Sequence, residues 1–422
     1  MRSISLTVCA IASTTCAILL ACQPGASQPR PESVQAWSEL EELLADMREA
    51  VVDEAENPLE VTDGVEYLLV GLRSAIDSSL NARERSETLH HFTTREPLVG
   101  CPNPDQDYWT APLDPEGSYR IHGNLGDTVY LSIVLYGYVP PEEQKTRGWG
   151  STLESFLDST ELSTGPDGSL EIFVTRTRPE HAANWLPLTA QTREIMIREF
   201  HRDRSREATA QLAIERLDTP TERTRTSAKQ IAAGKQMLRA AELADTRLSD
   251  EQVATWVRQV RSSAEAVFEF RKAVRMVNLA YGVLGSNEAV VVTMEHAAAR
   301  QAQPNPLVNY VNVSMELEEG ESLVIEGRPP ESRYWMLQFC DRWMSAPGGR
   351  RTGWLNDASV DLDPEGRYRI VVGPEDPGVG NWIDTTGHRR GALLGRFVSG
   401  KDVPETPSVR VVRTSELRPG ER

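Results

Sequence analysis

The sequence is poor in the motifs that mark well-known enzyme classes. It contains no Gly-x-Ser-x-Gly elbow, His-Glu-x-x-His motif, P-loop or Gly-x-Gly-x-x-Gly fingerprint, which excludes the hydrolases, zinc proteases and nucleotide enzymes that carry them. Only five cysteines occur in 422 residues, and none forms a Cys-x-x-Cys pair, so a zinc ribbon or redox dithiol is unsupported. An enzyme whose residues converge only in the folded chain is not excluded.

The sequence also has fewer basic than acidic residues. The chain has 45 Lys and Arg against 62 Asp and Glu, which gives a formal net charge of −17. Such a surface repels nucleic acid and anionic lipid headgroups, so neither is an expected partner. With 39% hydrophobic residues in 422 positions, the chain is expected to form two or three globular domains.

Residues 1–22 form a long apolar run of a particular kind. One Arg precedes small and apolar residues in a stretch too short for a permanent membrane span, which predicts a signal peptide over residues 1–21. The ending Leu19-Leu20-Ala21-Cys22 resembles a bacterial lipobox, which implies lipidation of Cys22. A plain secretory signal with an incidental cysteine is the alternative.

The segment after Cys22 predicts how the chain is displayed. Residues 22–32 are rich in Pro, Gly, Ser and Gln and predict a flexible tether. The expected location is therefore the bacterial cell envelope, with the protein held to a membrane through its N-terminal lipid. Gln23 favours the outer membrane, on its periplasmic or surface face.

Helical periodicity appears in two regions of the mature chain. Residues 33–100 predict an N-terminal helical pair with Ser33 as the first N-cap, and residues 207–300 predict a central helical segment. In the central segment Ser249 and Gln252 form a capping box. The apolar stripes of the N-terminal pair are Trp37, Leu40, Leu44, Met47 and Val51, then Val65, Leu68, Leu69, Leu72, Ile76 and Leu80.

Residues 101–206 and 301–422 predict two β units, because short alternating strands are separated there by Asp, Pro and Gly. The two regions agree in order, spacing and residue type, and each leads to an Asn-Trp pair, Asn184-Trp185 and Asn381-Trp382. This agreement argues for a duplicated module. The predicted fold class is α+β, with two jelly-roll-like antiparallel β sandwiches, the N-terminal helical pair and the central helical segment.

The loop after the second Asn-Trp pair is the main candidate for chemistry. Features that both copies share are expected to be scaffold, with an Asn satisfying turn backbone and a Trp wedged in the core. Asp384, Gly387 and His388 occur in the second copy alone. They suggest His388 as a general base oriented by Asp384, with Arg389 or Arg390 holding an anionic group; the alternative is a solvated polar loop. The candidate binding residues are Asn184, Trp185, Asn381, Trp382, Arg389 and Arg390.

Other polar and aromatic residues point less clearly to a ligand. No metal site is predicted, and the cofactor is left undetermined. Cys101 and Cys340 remain in the mature chain and either pair in an oxidising compartment or stay as a loop thiol and a buried thiol. Strand aromatics either line a sugar-binding face or fill the core: these are Tyr108, Trp109, Tyr130, Tyr136, Tyr138, Trp149, Tyr334 and Trp335.

Several longer stretches carry a resemblance to a known family. NPDQDYWTAPLDPEGSYRIHG, DGSLEIFVTRTRPEHAANW and YWMLQFCDRW, together with GNWIDTTGHRRGALLGRF, make the chain similar to the domain-of-unknown-function family 1214, often found with the related family 1254. The likeness covers roughly residues 33–415. It implies one or two jelly-roll-like sandwiches with helical decoration and no established activity. The lipobox and Cys101, at a loop position typical of Gly, depart from the family pattern.

Two functions remain as hypotheses. The first is a lipid-anchored envelope protein that binds or scaffolds, with a small polar or saccharide molecule as the expected ligand. The second is an exported hydrolase or lyase that acts on a small polar or saccharide substrate through Asp384 and His388. The oligomeric state is not predicted.

Overall fold

The structure of the protein is a computed structural model. It describes residues 30–84, 89–93, 100–138, 151–218, 248–279, 286–293, 305–346, 353–398, 400 and 402–418. The predicted signal peptide, Cys22 and most of the predicted tether lie outside the described residues. Within the described ranges, no helix is both long enough and apolar enough to cross a membrane.

The fold is α+β, and its strands form two units of nine. The helices are α1 Glu32–Glu54, α2 Pro58–Glu84 and α3 Asp250–Leu279. The first unit contains β1 His90–Thr93, β2 Gln106–Pro112, β3 Tyr119–Asn124, β4 Tyr130–Tyr138, β5 Ser151–Asp158, β6 Ser169–Thr175, β7 Trp185–Pro187, β8 Thr192–Phe200 and β9 Gln211–Arg216. The second contains β10 Ala289–Val292, β11 Val308–Glu316, β12 Glu321–Gly327, β13 Tyr334–Cys340, β14 Trp354–Asn356, β15 Tyr368–Gly373, β16 Trp382–Asp384, β17 Arg390–Val398 and β18 Ser408–Arg413.

The strand orders of the two units are the same. The first unit has sheets β1-β2-β8-β4-β5 and β7-β6-β3-β9, and the second has β10-β11-β17-β13-β14 and β16-β15-β12-β18. Each five-stranded sheet packs on its four-stranded partner around one apolar core. The predicted duplication is therefore confirmed. One pair in each unit, β6–β7 and β15–β16, is parallel, so the four-stranded sheets are mixed and not purely antiparallel as predicted.

The predicted region boundaries differ from the observed elements. β1 lies in the region expected to be a helical pair, and β9 and β10 lie in the segment 207–300 that was expected to be helical. Each of these strands pairs with a strand of its own unit. Sheet pairing is a long-range interaction, so helical periodicity nearby in the sequence does not reveal it.

The two Asn-Trp corners are equivalent in the structure. The Asn184 side chain bonds both main-chain groups of Ser163 and the carbonyl of Glu171 at 2.7 to 2.8 Å. Asn381 makes the same three bonds at the matching places of the second unit. Both side chains are buried. The prediction that Asn satisfies turn backbone is confirmed, because each amide ties a loop to the strand beside it.

The predicted role of the two tryptophans is wrong. Trp185 and Trp382 are half-buried, and their Nε1 atoms donate to main-chain carbonyls at the end of the neighbouring strand, at 3.1 and 3.2 Å. Leu186 and Ile383, the next residues, are fully buried in the two cores. Successive strand residues face opposite sides of a sheet, so each indole covers the outer face while its neighbour fills the interior.

The three helices form a layer with its own apolar cluster, in which α1 and α2 both pack on α3. The buried residues of α2 include Gly64, Tyr67 and Ala75, whereas Val65 is 43% and Leu69 65% exposed. The predicted stripe is therefore only partly correct: Leu68 and Leu72 pack against the cluster, whereas Val65, Leu69 and Ile76 are exposed. Small residues at Gly64 and Ala75 allow close approach of neighbouring groups, which a count of apolar residues does not reveal.

The predicted N-terminal cap is wrong for α1 and correct for α3. α1 begins at Glu32, and Ser33 does not act as its N-cap. Instead the amides of Glu32 and Ser33 donate to the carboxylate of Asp250 on α3, at 2.6 and 3.1 Å. The capping box of α3 is confirmed, since Ser249 and Gln252 exchange hydrogen bonds of 2.8 and 3.2 Å.

The two units meet through their five-stranded sheets. Tyr130 and Phe200 of the first unit pack against Val308, Tyr334 and Val398 of the second. A disulfide between Cys101 and Cys340 crosses the same junction with a Cα separation of 5.8 Å. Of the two alternatives for these cysteines, the structure has the paired one.

We expect the disulfide to stabilise the fold. Reduction, or the double substitution Cys101→Ser with Cys340→Ser, should lower the free energy of unfolding by about 2–5 kcal/mol because the unfolded chain gains freedom. Guanidinium unfolding with and without reductant measures the change, and the double variant should not respond to reductant. Quantitative alkylation of both cysteines without prior reduction would contradict the pairing.

Because the two Asn-Trp corners are equivalent, we expect replacement of either asparagine to lower stability by a similar amount. Asn184→Ala and Asn381→Ala should each lower the free energy of unfolding by about 2–4 kcal/mol, because each leaves buried main-chain groups without partners. Gln35→Ala, on the exposed face of α1, is the control and should change it by less than about 0.5 kcal/mol. A large loss from one asparagine alone would mean that the two corners do not serve the same purpose.

Candidate functional site

The predicted loop turns sharply between β16 and β17. The Asp384 carboxylate accepts the Thr386 amide at 2.7 Å, and Thr386 and Gly387 both have positive φ, 51° and 92°. Arg389 is exposed, and its carbonyl accepts the Leu317 amide. These bonds fix the turn, because Asp readily closes such a local ring and Gly tolerates the left-handed backbone.

Arg390 is engaged away from the turn. It forms ion pairs with Glu316 at 2.8 Å and with Glu56, which lies in the link between α1 and α2. Asn184, Trp185, Asn381 and Trp382 bond main chain at the corners described above. Asn381, Trp382 and Arg390 belong to the same unit as His388, while Asn184 and Trp185 lie in the other unit.

His388 lies beneath the first turns of α2. It is only 3% exposed, and its Nε2 atom is 3.0 Å from Oδ2 of Asp63. Its main chain is held by Thr385, whose carbonyl accepts the His388 amide at 3.0 Å. Asp63 therefore takes the place beside His388 that the sequence analysis assigned to Asp384.

A second carboxylate approaches the same histidine. Asp341 follows β13 and is 2% exposed; its Oδ1 accepts the amides of Trp343 and Ser345 at 2.9 and 2.8 Å. Burial raises the pKa of Asp341 to about 7 despite these bonds and the nearby His388. One side-chain atom each of Asp63, Asp341 and His388 lies within 4.8 Å of the others, and we call these residues the histidine cluster.

Packing of Trp343 against α2 sets the positions in this cluster. The indole is 1% exposed within the helical layer, and its Nε1 donates to the Glu60 carbonyl at 2.8 Å. A Cβ atom on Gly64 would lie 2.9 Å from the ring, so only glycine allows this approach. Asp63 directly precedes Gly64, and Asp341 lies two residues before Trp343. The contact between Gly64 and Trp343 therefore brings the two carboxylates together.

Another group of titratable residues lies in the first unit. His201 Nε2 is 3.2 Å from Glu199 and 3.9 Å from Asp107, and all three are buried. Arg204 pairs with Asp107 at 2.8 Å, and Glu207 lies 3.3 Å from His201 Nδ1. The internal guanidinium supplies the opposite charge, so the arrangement is that of a structural ion-pair network.

Two arginines occupy equivalent positions on the facing sheets. Arg198 of β8 pairs in register with Tyr108 of β2, and Arg396 of β17 pairs in the same way with Tyr310 of β11. The arginines are 8% and 9% exposed. Both positive charges act on the Tyr108 hydroxyl, whose pKa is raised by burial. The Arg198 guanidinium lies 5.9 Å from the centre of the Tyr108 ring.

Both arginines donate hydrogen bonds to neutral groups. Arg198 donates to the Tyr136 hydroxyl at 3.0 Å and lies over the rings of Tyr108 and Tyr136. Arg396 donates to the Gln338 amide oxygen and the Cys101 carbonyl at 2.8 and 2.7 Å. Among the described residues, no carboxylate forms an ion pair with Arg396. We call Tyr108, Tyr136, Tyr310, Arg198 and Arg396 the arginine-tyrosine cluster.

Sequence reasoning identified His388 but missed its partners and both arginines. Asp63 is far from His388 in sequence, and no local motif links them. Arg198 and Arg396 carried a usable signal, because an Arg precedes the aromatic end of the last paired strand in both copies. Of the strand aromatics, Trp109 and Trp335 belong to the cores, as the core alternative predicted. The side chains of Tyr138 and Trp149 lie outside the described part.

Comparison with known proteins supports the fold. Residues 101–202 match the model of a family described as "Protein of unknown function (DUF1214)", which supports the predicted resemblance for the first unit. No curated protein matches the chain. An uncharacterized protein from Burkholderia cenocepacia has a similar structure, with a TM-score of 0.70 and 24% sequence identity over 91% of this chain and 98% of that one.

A weaker likeness exists to the VPA0106 protein from Vibrio parahaemolyticus. Its TM-score is 0.42 with 10% identity, over 82% of this chain and 98% of that one. At these identities the comparisons describe architecture alone.

The His201 network predicts a pH-dependent contribution to stability. Burial alone would raise the pKa of Glu199, but the nearby His201, together with hydrogen bonds from the Ala210 amide and the Thr128 hydroxyl, outweighs it and holds the pKa below its ordinary value. The carboxylate therefore stabilises the fold above the ordinary Glu pKa, and this contribution is lost as the pH falls through the lowered pKa.

We therefore expect Glu199→Gln to lower the free energy of unfolding by about 2–4 kcal/mol at pH 7, with a smaller difference from wild type as the pH falls below about 4.5. Urea unfolding between pH 3 and 8 measures it. Glu116→Gln removes an exposed carboxylate paired with Arg176 and should have little effect throughout. A Glu199→Gln loss that is equal at all pH values would contradict this charge-based account.

Proposed function

We propose that the protein is an exported, lipid-anchored envelope protein that binds a small organic anion, of the acidic-saccharide class, between its two β units. The sequence of residues 1–22, with the lipobox-like end at Cys22, supports export and anchoring. Among the two membranes, Gln23 favours the outer one. The arginine-tyrosine cluster supports the choice of ligand.

The main support for an anionic ligand is the presence of two buried arginines, Arg198 and Arg396, at equivalent positions of the two units. A buried guanidinium is costly unless an acceptor or a counter-charge compensates it. Arg396 donates to neutral acceptors in Gln338 and Cys101. A carboxylate or phosphate beside Arg396 would supply a counter-charge, and guanidinium forks suit such planar or branched anions.

The tyrosines explain why a sugar-like anion suits the cluster. Burial raises the pKa of Tyr108 and of Tyr136, so both phenols stay neutral and can donate to ligand oxygens. Their rings also offer apolar faces to the carbon atoms of a saccharide. The strongly acidic exterior repels anions in general, so the internal positive charge confines binding to one place.

The alternative of a hydrolase or lyase has less support. His388 is packed beneath α2 beside Asp63, and the Asp384 carboxylate closes a local turn. A general base needs access to its substrate proton. A catalytic role for these two residues would require α2 to move away.

Calorimetric titration of the mature protein in detergent tests the proposal. We expect glucuronate or galacturonate to bind at least about 10-fold more tightly than glucose, since the charge-assisted contacts are absent for the neutral sugar. Arg198→Gln and Arg396→Gln should each abolish this preference, whereas Arg176→Gln, an exposed control with the same loss of charge, should retain it. Equal affinity for charged and neutral sugars would overturn the proposal, and conversion of the bound sugar would favour the enzyme.

A further inference from the structure

We propose that Asp63, Asp341 and His388 form a binding site for a divalent transition-metal ion, with zinc as the reference ion. The site uses none of the residues of the arginine-tyrosine cluster. Its three ligands come from three separate elements: α2, the segment after β13, and the turn between β16 and β17. Nothing equivalent follows β7 in the first unit, where the sequence is LPLTAQT.

The donor set and spacing suit such an ion. One imidazole nitrogen with two carboxylate oxygens is a common set for zinc and neighbouring metals. Ligand atoms around zinc lie about 2.0–2.2 Å from the ion, and so about 3–3.5 Å from one another. The Nε2–Oδ2 separation of 3.0 Å between His388 and Asp63 fits this range, and all three atoms already lie within 4.8 Å.

Unsatisfied oxygens give independent support. Oδ2 of Asp341 and Oδ2 of Asp63 are buried and accept no hydrogen bond from any described group. Asp341 is 2% exposed, so an oxygen without a partner is costly there. Oδ1 of the same carboxylate is held by the Trp343 and Ser345 amides, an arrangement that orients a metal ligand.

Arginines in the sequence next to the histidine cluster form ion pairs with carboxylates other than Asp63 and Asp341. Arg342 follows Asp341 in the sequence, and it pairs with Glu60 at 3.1 Å and with Glu56. Arg390 pairs with Glu56 and Glu316. Within the described part of the chain, no Lys or Arg forms an ion pair with Asp63 or Asp341, in contrast to the His201 network with its internal Arg204.

A bound ion would join the helical layer to the second β unit. Asp63 belongs to α2, whereas Asp341 and His388 belong to loops of the second sandwich. Metal binding to the folded state should therefore stabilise this contact and raise the melting temperature. Three protein ligands also leave a coordination position for water.

The test uses the full mature protein after treatment with a chelator and desalting. Calorimetric titration with zinc chloride should show one site per chain, and zinc should raise the melting temperature. Cobalt chloride should produce a visible absorption band from the same site. Asp341→Asn retains the Oδ1 acceptor and should weaken zinc binding at least about 100-fold, with Asp63→Asn doing the same.

Asp384→Asn is the matched control, because it changes a nearby carboxylate outside the cluster, and it should bind zinc as wild type does. Arg396→Gln should also bind zinc normally, which separates this site from the proposed anion site. The inference is overturned if wild type binds neither zinc nor cobalt at one ion per chain. It is equally overturned if Asp341→Asn and Asp63→Asn both retain wild-type affinity and the cobalt band.

Discussion

Close packing of Trp343 against Gly64 is the contact on which the functional part of the structure depends. The indole leaves the second β unit and fills the cluster shared by α1, α2 and α3, and a side chain on Gly64 would collide with it. The contact docks α2 over the turn that holds His388. It also places Asp63 and Asp341, neighbours of the two contacting residues, on either side of the imidazole.

Duplication accounts for most of the remaining architecture. The two units repeat strand order and the asparagine corners, so these features serve stability in both copies. Arg198 and Arg396 also repeat, because each lies opposite a tyrosine of the neighbouring strand. The histidine cluster is not repeated. It depends on a helix that docks on the second unit and on loop residues that the first unit lacks.

Much of the β architecture was predictable from sequence, because alternation and turn residues are local signals and the repeated Asn-Trp pairs set two copies in correspondence. The mixed sheets and strands β1, β9 and β10 were not, since pairing partners are distant. Alternation alone does not decide which of two successive apolar residues faces the core, and here Leu186 and Ile383 face it while the tryptophans lie on the outer face. His388 was found as an unshared residue, whereas Asp63 and Asp341 meet it only through the Trp343 contact.

We propose that the features shared by both units form the scaffold, while the unshared histidine cluster takes a ligand. Anomalous diffraction at the zinc absorption edge, from crystals of the mature protein grown with zinc, tests this most directly. We expect one strong peak about 2 Å from His388 Nε2 and from carboxylate oxygens of Asp63 and Asp341, with no counterpart in the first unit. A histidine cluster without a peak, or a peak repeated at the matching place of the first unit, would contradict it.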